Sequence, residues 1–160
     1  MKKIETLERL IEKVAAAQLA GKKIVFANGC FDLLHVGHIR YLEGAKALGD
    51  ILIVGINSDR AVKILKGDKR PLMPASERAE IISALECVDY VTIFDALTVT
   101  ELLTALRPNI HAKGTDYSVD SVPERETVKA YGGTVAIVGD PKDHSTTIFL
   151  EKISKGGQQG

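Results

Sequence analysis

The feature that most constrains the fold is a regular alternation between short apolar runs and segments with helical apolar spacing. The runs are continuously apolar, which is typical of strands that are buried on both faces of a parallel sheet. The helical segments between them supply the crossover connections that such a sheet requires. The pattern therefore predicts an α/β fold, a Rossmann-like doubly wound parallel sheet of about five strands with helices on both faces.

The boundaries of the elements follow from apolar runs, caps and glycines. The predicted strands are residues 23–28, 50–56, 88–94, 109–113 and 134–139. The predicted helices are residues 5–20, 37–48, 58–65, a helix that Ser76 caps and that ends near Leu85, 98–106, a helix over 123–131 that Pro123 opens, and 145–153. We expect an N-terminal helical segment over 1–22, one α/β domain over 23–154 and a flexible tail over 155–160.

Composition excludes several classes of partner. Lys and Arg number 21, as do Asp and Glu, so the chain lacks the basic excess of a nucleic-acid binder. No apolar run is long enough to span a bilayer, and the N-terminus lacks the apolar segment of a signal peptide. Cys30 and Cys87 lie far apart and form no disulfide framework. We therefore expect a cytoplasmic protein without nucleic-acid or membrane partners.

The loop after the first predicted strand carries the densest set of polar residues. It reads Asn-Gly-Cys-Phe-Asp-Leu-Leu-His-Val-Gly-His over 28–38 and runs into a helix. His35 and His38 share one face of that helix, at an end where free N–H groups attract phosphate. Gly37 lets a ligand approach the backbone closely. The spacing predicts phosphate binding, and we expect no protein-held metal because no second ligand pair suits zinc.

Further candidate residues lie in three other segments. Ser145, Thr146 and Thr147 open the last predicted helix, where their hydroxyls can cap it or hold nucleotide phosphates. Lys66 begins a loop with three cations in residues 66–70, and it is the candidate clamp for the phosphate of an acceptor. Arg78 either adds a bidentate phosphate contact or forms a surface ion pair with Glu77 or Asp59.

The remaining candidates have structural alternatives. Lys113 and Gly114 follow the fourth predicted strand, where a glycine permits close approach to a nucleotide. Asp116 either accepts a hydrogen bond from ribose or base or forms an Asx turn. Asp32 either caps the histidine helix or orients a neighbour. Cys30 is interpreted as a small residue beside tight backbone rather than as a nucleophile.

The stretch GCFDLLHVGH resembles the HxGH signature of the nucleotidyltransferase superfamily, in its cytidylyltransferase-like group. The resemblance extends from Lys23 to Ile153, and the segment 145–147 resembles the family's second phosphate motif. It implies transfer of a nucleoside monophosphate to a phosphorylated acceptor with release of pyrophosphate. The family often carries an arginine where this chain has Asp140. Lys142 and His144 are candidate replacements, and the departure leaves the use of CTP open.

Within this family the chain is most similar to D-glycero-β-D-manno-heptose 1-phosphate adenylyltransferases. The similarity rests on GCFDLLHVGHIRYLEGAKALGD, GINSDRAVKILKGDKRP, ALECVDYVTIFD and the segment 113–117. It implies ATP with Mg²⁺, a heptose 1-phosphate acceptor, an ADP-heptose product used as a lipopolysaccharide precursor, and a homodimer. The alternatives are a cytidylyltransferase that uses CTP with glycerol 3-phosphate or another small phosphorylated acceptor, a non-catalytic nucleotide-binding module, and a docking protein.

Residues and resemblance together give a set of expected roles. The expected catalytic residues are His35, His38, Lys66 and Thr146. The expected nucleotide-binding residues are Gly29, Cys30, Phe31, His35, Gly37, His38, Lys113, Gly114, Asp116, His144, Ser145, Thr146 and Thr147. The expected substrate-binding residues are Asn28, Asp32, Lys66 and Arg78.

Overall fold

The structure is a computed structural model that describes residues 2–141 and 146–157 of the chain. Its strands are β1 (Ile24–Gly29), β2 (Ile51–Asn57), β3 (Tyr90–Phe94), β4 (Ile110–Lys113) and β5 (Thr134–Ile137). Its helices are α1 (Leu7–Leu19), α2 (Val36–Lys46), α3 (Asp59–Lys66), α4 (Ala75–Ser83), α5 (Thr100–Leu106), α6 (Arg125–Ala130) and α7 (Thr146–Gly156), with a short 3-10 helix at Val119–Ser121. The strands form one sheet in the order β3-β2-β1-β4-β5, with parallel pairs throughout. The predicted fold class is confirmed.

Helices cover both faces of the sheet because the central strands β1 and β2 bury apolar side chains on both sides. One apolar cluster joins the sheet to α2 and α4 through residues such as Leu42 and Ile82, which have no exposed surface. A second cluster joins the opposite face to α1 and α5 through Leu10 and Leu103, which are equally buried. The central strands are therefore shielded from solvent on both faces.

The N-terminal segment is an integral part of this domain. Leu10 and Val14 of α1 lie in the second apolar cluster, and Thr6 caps the helix. Ahead of the helix, Ile4 forms a parallel bridge with Val91, and the Glu5 N–H donates to the Val91 carbonyl at 2.9 Å. The segment thus extends the sheet beyond β3, so the expected division at residue 22 does not mark a separate structural unit.

Three predicted boundaries are wrong for local reasons. Ser76 lies inside α4, which Pro74 precedes, and the Asp59 carboxylate accepts from the Ala75 N–H instead of a serine cap. Pro123 lies ahead of α6, whose N-cap is Glu124, so it does not occupy the first helical turn. The last helix was expected to end at residue 153 but continues to Gly156, and the Gly157 N–H still donates to the Ile153 carbonyl.

The sheet order defines where a ligand can enter. From β1 the chain moves outward through β2 to β3, then crosses to the other side of β1 to form β4 and β5. The strand order therefore reverses between β1 and β4. The loop after β1 and the loop after β4 lead away from each other, which opens a crevice at the carboxyl ends of these two strands. Within residues 2–141 and 146–157, no helix is both long and apolar enough to cross a membrane.

Candidate active site

A cavity of about 610 Å³ opens at this crevice. Its walls come from the ends of β1, β2 and β4, the start of α2, the segment after β5 and the start of α7. Twelve of the residues expected to act in binding or catalysis line it: Asn28, Gly29, Cys30, Phe31, His35, Gly37, His38, Lys66, Lys113, Gly114, Asp116 and Thr147.

The two histidines of the motif cap the start of α2 reciprocally. The Gly37 N–H donates to His35 Nδ1 at 3.1 Å, and the His35 N–H donates to His38 Nδ1 at 3.2 Å. An imidazole nitrogen that accepts a hydrogen bond carries no proton, so each neutral ring is protonated at Nε2. The rings stack with centroids 3.8 Å apart. The motif therefore holds two Nε2–H donors side by side in the wall of the cavity.

This geometry corrects one expectation about the helix start. Free backbone amides were expected to bind phosphate, but the Gly37 N–H is bonded to His35 Nδ1 and the His38 N–H to the His35 carbonyl. Since these amides are already satisfied within the motif, the imidazole rings rather than the backbone amides are its candidates for contact with an anion. The three-residue spacing between the histidines thus lets both rings cap the start of α2 while they line the cavity.

Phe31 packs against His38 of the histidine pair. Its ring is 5% exposed and meets the His38 ring edge-on with centroids 5.3 Å apart. Its backbone has a φ of 49°, a left-handed conformation that is uncommon for a residue with a large side chain. A Cβ on Gly29 would lie 3.0 Å from the Phe31 ring. A side chain at position 29 would therefore crowd the Phe31 ring, and Gly29 itself lines the cavity.

The beginning of α7 lies at the same cavity as the histidines. Thr147 lines it, and the Phe149 ring lies 5.7 Å from the His35 ring. The structure thus brings the two predicted phosphate-binding helix starts together. Ser145 and His144, as well as Lys142, lie outside the described residues, and the side chain of Thr146 is likewise not described.

Two lysines place positive charge in the cavity wall. Lys66 is the last residue of α3, and Lys113 ends β4. Lys113 is 9% exposed, and its ammonium lies 4.5 Å from the centroid of the Tyr117 ring. Burial lowers the pKa of Lys113, while the carboxylates of Glu124 and Asp116 oppose that effect. Both lysines can face an anionic ligand from opposite sides of β1.

Asp140, which occupies the position of the family's arginine, also lines the cavity. Arg40 of α2 pairs with its carboxylate, and the Thr115 hydroxyl donates to its carbonyl at 2.5 Å. The arginine offsets the negative charge that Asp140 brings. These contacts also join α2 to the segments after β4 and β5.

Asp32 does not line the cavity and does not cap α2. Its carboxylate is buried and accepts from Arg70 Nε at 2.6 Å, from the Leu72 N–H at 2.8 Å and from the Met73 N–H at 3.0 Å. Although burial raises the pKa of Asp32, hydrogen bonds from Leu72, Arg70 and Met73 hold it below its usual range. The expected substrate contact is corrected: Asp32 orients a neighbour by fixing the loop that follows Lys66.

Arg78 is the second expected substrate contact that the structure places elsewhere. Its guanidinium has no exposed surface, because it donates to the carbonyls of Met73, Cys30 and Asn57 and to the Asp59 carboxylate. The distances run from 2.7 to 2.9 Å. Arg78 therefore joins the loops after β1 and β2 and cannot reach a ligand. The pair with Asp59 was one of the two alternatives, and it joins a buried guanidinium to a half-exposed carboxylate.

Cys30 has the environment of an inert thiol. Its Sγ donates to Asn57 Oδ1 at 3.7 Å, and burial raises its pKa despite the nearby Lys66, Arg78 and Arg70. A raised pKa leaves little thiolate at neutral pH, so the group is a poor nucleophile. This agrees with its interpretation as a small residue beside tight backbone.

Three residues that the sequence interpretation did not select belong to the site. Asn57 and Tyr41 line the cavity, and His111 lies behind it on β4. Asn57 is a polar residue at the end of an apolar strand, where ligands bind in such sheets, and Tyr41 follows His38 by one helical turn. Both residues could therefore have been predicted from the sequence. Tyr41 donates to the Ala112 carbonyl at 2.6 Å, and burial raises its pKa. His111 carried no such signal, because it lies within an apolar strand.

The comparisons with known proteins agree with this architecture. The family model described as cytidylyltransferase-like matches residues 26–154. The bifunctional protein HldE of Geobacter sulfurreducens is 49% identical over 153 residues, which cover 96% of this chain and 31% of that protein. The protein of the same name from Citrifermentans bemidjiense is 50% identical over 94% of this chain and 31% of its own length. The chain thus spans about a third of these relatives.

Solved structures show the same fold. A lipopolysaccharide core biosynthesis protein from Thermoplasma volcanium has a TM-score of 0.62 at 30% identity, and the match covers 73% of this chain and 94% of that one. A pantoate-beta-alanine ligase from Francisella tularensis has a TM-score of 0.60 at 14% identity over 92% of this chain and 69% of that one, which shows the fold alone. The motif, the cavity and the family match agree, and the chain belongs to the cytidylyltransferase-like family of nucleotidyltransferase enzymes.

Proposed function

We propose that this chain transfers AMP from ATP to a sugar 1-phosphate, D-glycero-β-D-manno-heptose 1-phosphate, and forms ADP-heptose and pyrophosphate. The observation that carries the proposal is the convergence of the paired His35 and His38 Nε2–H donors with the start of α7 at one cavity. The motif segments shared with heptose 1-phosphate adenylyltransferases support the choice of substrate. The likeness to a lipopolysaccharide core biosynthesis protein is consistent with it.

The chemistry requires charge stabilisation more than proton transfer. An oxygen of the acceptor phosphate attacks the α-phosphorus of ATP, and the bond to the departing pyrophosphate breaks in line with it. The nucleophile is already ionised at neutral pH, so no strong general base is needed. Preorganised donors and cations lower the barrier by opposing repulsion between the two anions and by stabilising the charge that grows on the leaving group.

We assign these tasks to residues by their position in the fold and in the sequence. His35 and His38 donate to the α-phosphate and to the bridging oxygen, while Lys66 faces the acceptor phosphate. Thr146 and Thr147, with Ser145 and His144 ahead of them, are proposed to hold the leaving pyrophosphate. Lys113, Gly114 and Asp116 are proposed to contact the nucleoside from the end of β4.

Mg²⁺ is proposed to enter with ATP as part of the substrate. Such an ion is bound mainly by phosphate oxygens and water, and it neutralises charge on the phosphate tail. Across the described part of the chain, no group of three or more His, Cys, Asp or Glu side chains is close enough to hold a metal. Asp116, an exposed residue that lines the cavity, is a candidate for an outer contact with the hydrated ion.

A pyrophosphate-release assay tests the substrates. ATP, CTP and GTP are each combined with heptose 1-phosphate, with other sugar 1-phosphates and with glycerol 3-phosphate. We expect turnover with ATP and heptose 1-phosphate. Turnover with CTP and glycerol 3-phosphate instead would establish the cytidylyltransferase alternative. Nucleotide binding without pyrophosphate release from any pair would indicate a non-catalytic module.

Substitution of His38 tests the mechanism. His38→Asn retains an acceptor for the His35 N–H but removes the Nε2–H donor, so it separates catalysis from capping. We expect kcat to fall by about 10²–10³, the usual effect of losing one such donor. Glu43→Ala, an exposed position on the same helix, serves as the matched control and should leave kcat unchanged. A folded His38→Asn enzyme with the wild-type rate would remove His38 from the mechanism.

A further inference from the structure

The buried His111 side chain contacts the site without lining it. It has no exposed surface, and its ring packs against Phe26 with centroids 5.9 Å apart. Phe26 and His111 are paired across β1 and β4, and side chains two residues apart on a strand point to the same face. Asn28 therefore lies directly above His111, toward the carboxyl end of the sheet.

One hydrogen bond joins these two residues. His111 Nε2 lies 3.0 Å from Asn28 Oδ1. A side-chain amide oxygen can only accept, so Nε2 must carry the proton. The opposite tautomer would place a proton on Nδ1, which is buried and has no hydrogen-bond partner in the part of the chain that the structure describes. An orphaned buried N–H is costlier and rarer than an orphaned acceptor, which favours the Nε2–H tautomer.

This bond determines which end of the Asn28 amide faces the cavity. Asn28 is half-buried and lines the cavity, and no protein partner of its Nδ2 occurs among the described residues. With Oδ1 held by His111, the NH₂ group is the end that remains for a ligand. Rotation of the amide by about 180° would place NH₂ against Nε2–H, donor against donor, and would turn an acceptor toward an anionic ligand.

We propose that His111 is a positioning residue that fixes the Asn28 side-chain amide, so that the Asn28 Nδ2–H group donates to an oxygen of the bound substrate. The proposal rests on the proposed function for the identity of that substrate, but its geometry does not depend on it. Burial lowers the pKa of His111 to about 3, and the nearby Lys113 adds to that effect, so the ring stays neutral throughout the working pH range. A permanently neutral donor holds the amide in one orientation at every such pH.

Two substitutions separate positioning from packing. His111→Leu keeps an apolar side chain of similar size and removes the donor, which frees the Asn28 amide to rotate. His111→Gln restores an N–H donor that can reach Asn28 Oδ1. We expect kcat/KM in His111→Leu to fall by about tenfold, the effect of one lost hydrogen bond. We expect His111→Gln to recover most of that loss.

A double-mutant cycle with Asn28→Ala completes the test. If His111 acts through Asn28, His111→Leu should have little further effect on kcat/KM once Asn28 is alanine. The proposal would be overturned if the double variant lost kcat/KM by the product of the two single-variant factors. It would also be overturned if His111→Gln had a kcat/KM no higher than that of His111→Leu. Melting temperatures of the same variants report changes in packing. Recovery of kcat/KM in His111→Gln without a matching recovery of the melting temperature would separate positioning from packing.

A spectroscopic measurement keeps this proposal separate from the proposed function. In the unliganded wild-type protein, the ¹⁵N shifts of the His111 ring should show the Nε2–H tautomer at neutral pH. The side-chain NH₂ signals of Asn28 should move in His111→Leu and return toward their original positions in His111→Gln. An Nδ1–H tautomer would overturn the proposal even if turnover is found. The expected tautomer without turnover would overturn only the proposed function.

Discussion

The buried carboxylate of Asp32 offers a sharp test of how the site is held together. Its side chain has no exposed surface, and that of its partner Arg70 is 11% exposed. Asp32→Ala would leave this guanidinium without its carboxylate and would remove the acceptor of the Leu72 and Met73 N–H groups. Breaking a buried pair from one side costs about 3–5 kcal/mol, because the remaining charge stays buried.

That cost is large relative to the stability of the whole domain. A domain unfolds with a free energy of about 5–15 kcal/mol, so Asp32→Ala should remove a substantial fraction of it. At roughly 2–4 °C per kcal/mol for a chain of this size, the melting temperature should fall by roughly 6–20 °C. Urea unfolding followed by circular dichroism at 222 nm gives the free energy directly.

Asp68 supplies the matched control, because it is a carboxylate near the same loop with the opposite exposure. Its side chain is 92% exposed and lies 3.9 Å from Lys63. Exposed pairs of this kind contribute about 0–1 kcal/mol, so Asp68→Ala should be nearly silent. If Asp32→Ala and Asp68→Ala lowered the free energy of unfolding equally, the assigned role of Asp32 would be wrong.

Two further predictions follow from buried groups. Arg78→Ala leaves three partly or fully buried carbonyls without their donor, at about 1–3 kcal/mol each, so the domain should lose at least about 3 kcal/mol of its free energy of unfolding. The Asp59 carboxylate is half exposed and can be solvated instead. Arg60→Ala, which breaks an exposed pair with Asp95, should cost about 0–1 kcal/mol in the same urea experiment. Equal losses of stability in Arg78→Ala and Arg60→Ala would contradict the structural role assigned to the buried Arg78. The pKa of His111 is lowered from 6.5 to about 3 in the folded state. As the pH falls, the unfolded chain is therefore protonated at this residue before the folded chain is. Its contribution is full above pH 6.5 and is lost as the pH falls toward 3, with a slope of up to about 1.4 kcal/mol per pH unit. His111→Phe should flatten that part of the stability profile, and an unchanged slope would show that His111 does not titrate as the structure requires.

Local sequence signals predicted most of the fold and the centre of the site. Continuous apolar runs cannot be stable unless both faces are covered, so they indicated the parallel sheet. The short separation of His35 and His38 at a helix start depends only on helical geometry, and the structure places both in the cavity as expected. Boundaries were less readable, because the start of α4 is satisfied by Asp59, a residue from another helix.

The sequence by itself determined the α/β class, the strand ends that meet at the crevice and the family to which the chain belongs, because each depends on patterns within a few consecutive residues. Only the tertiary structure decided the roles of Asp32, Arg78 and His111. Apart from Met73, which is five residues from Arg78, their hydrogen-bond partners lie 19 to 83 residues away in the chain, as in the bonds of Arg78 with Asp59 and of His111 with Asn28. A charged or polar side chain has the same appearance in a sequence whether it faces a ligand or a buried carbonyl, and burial alone distinguishes these two cases.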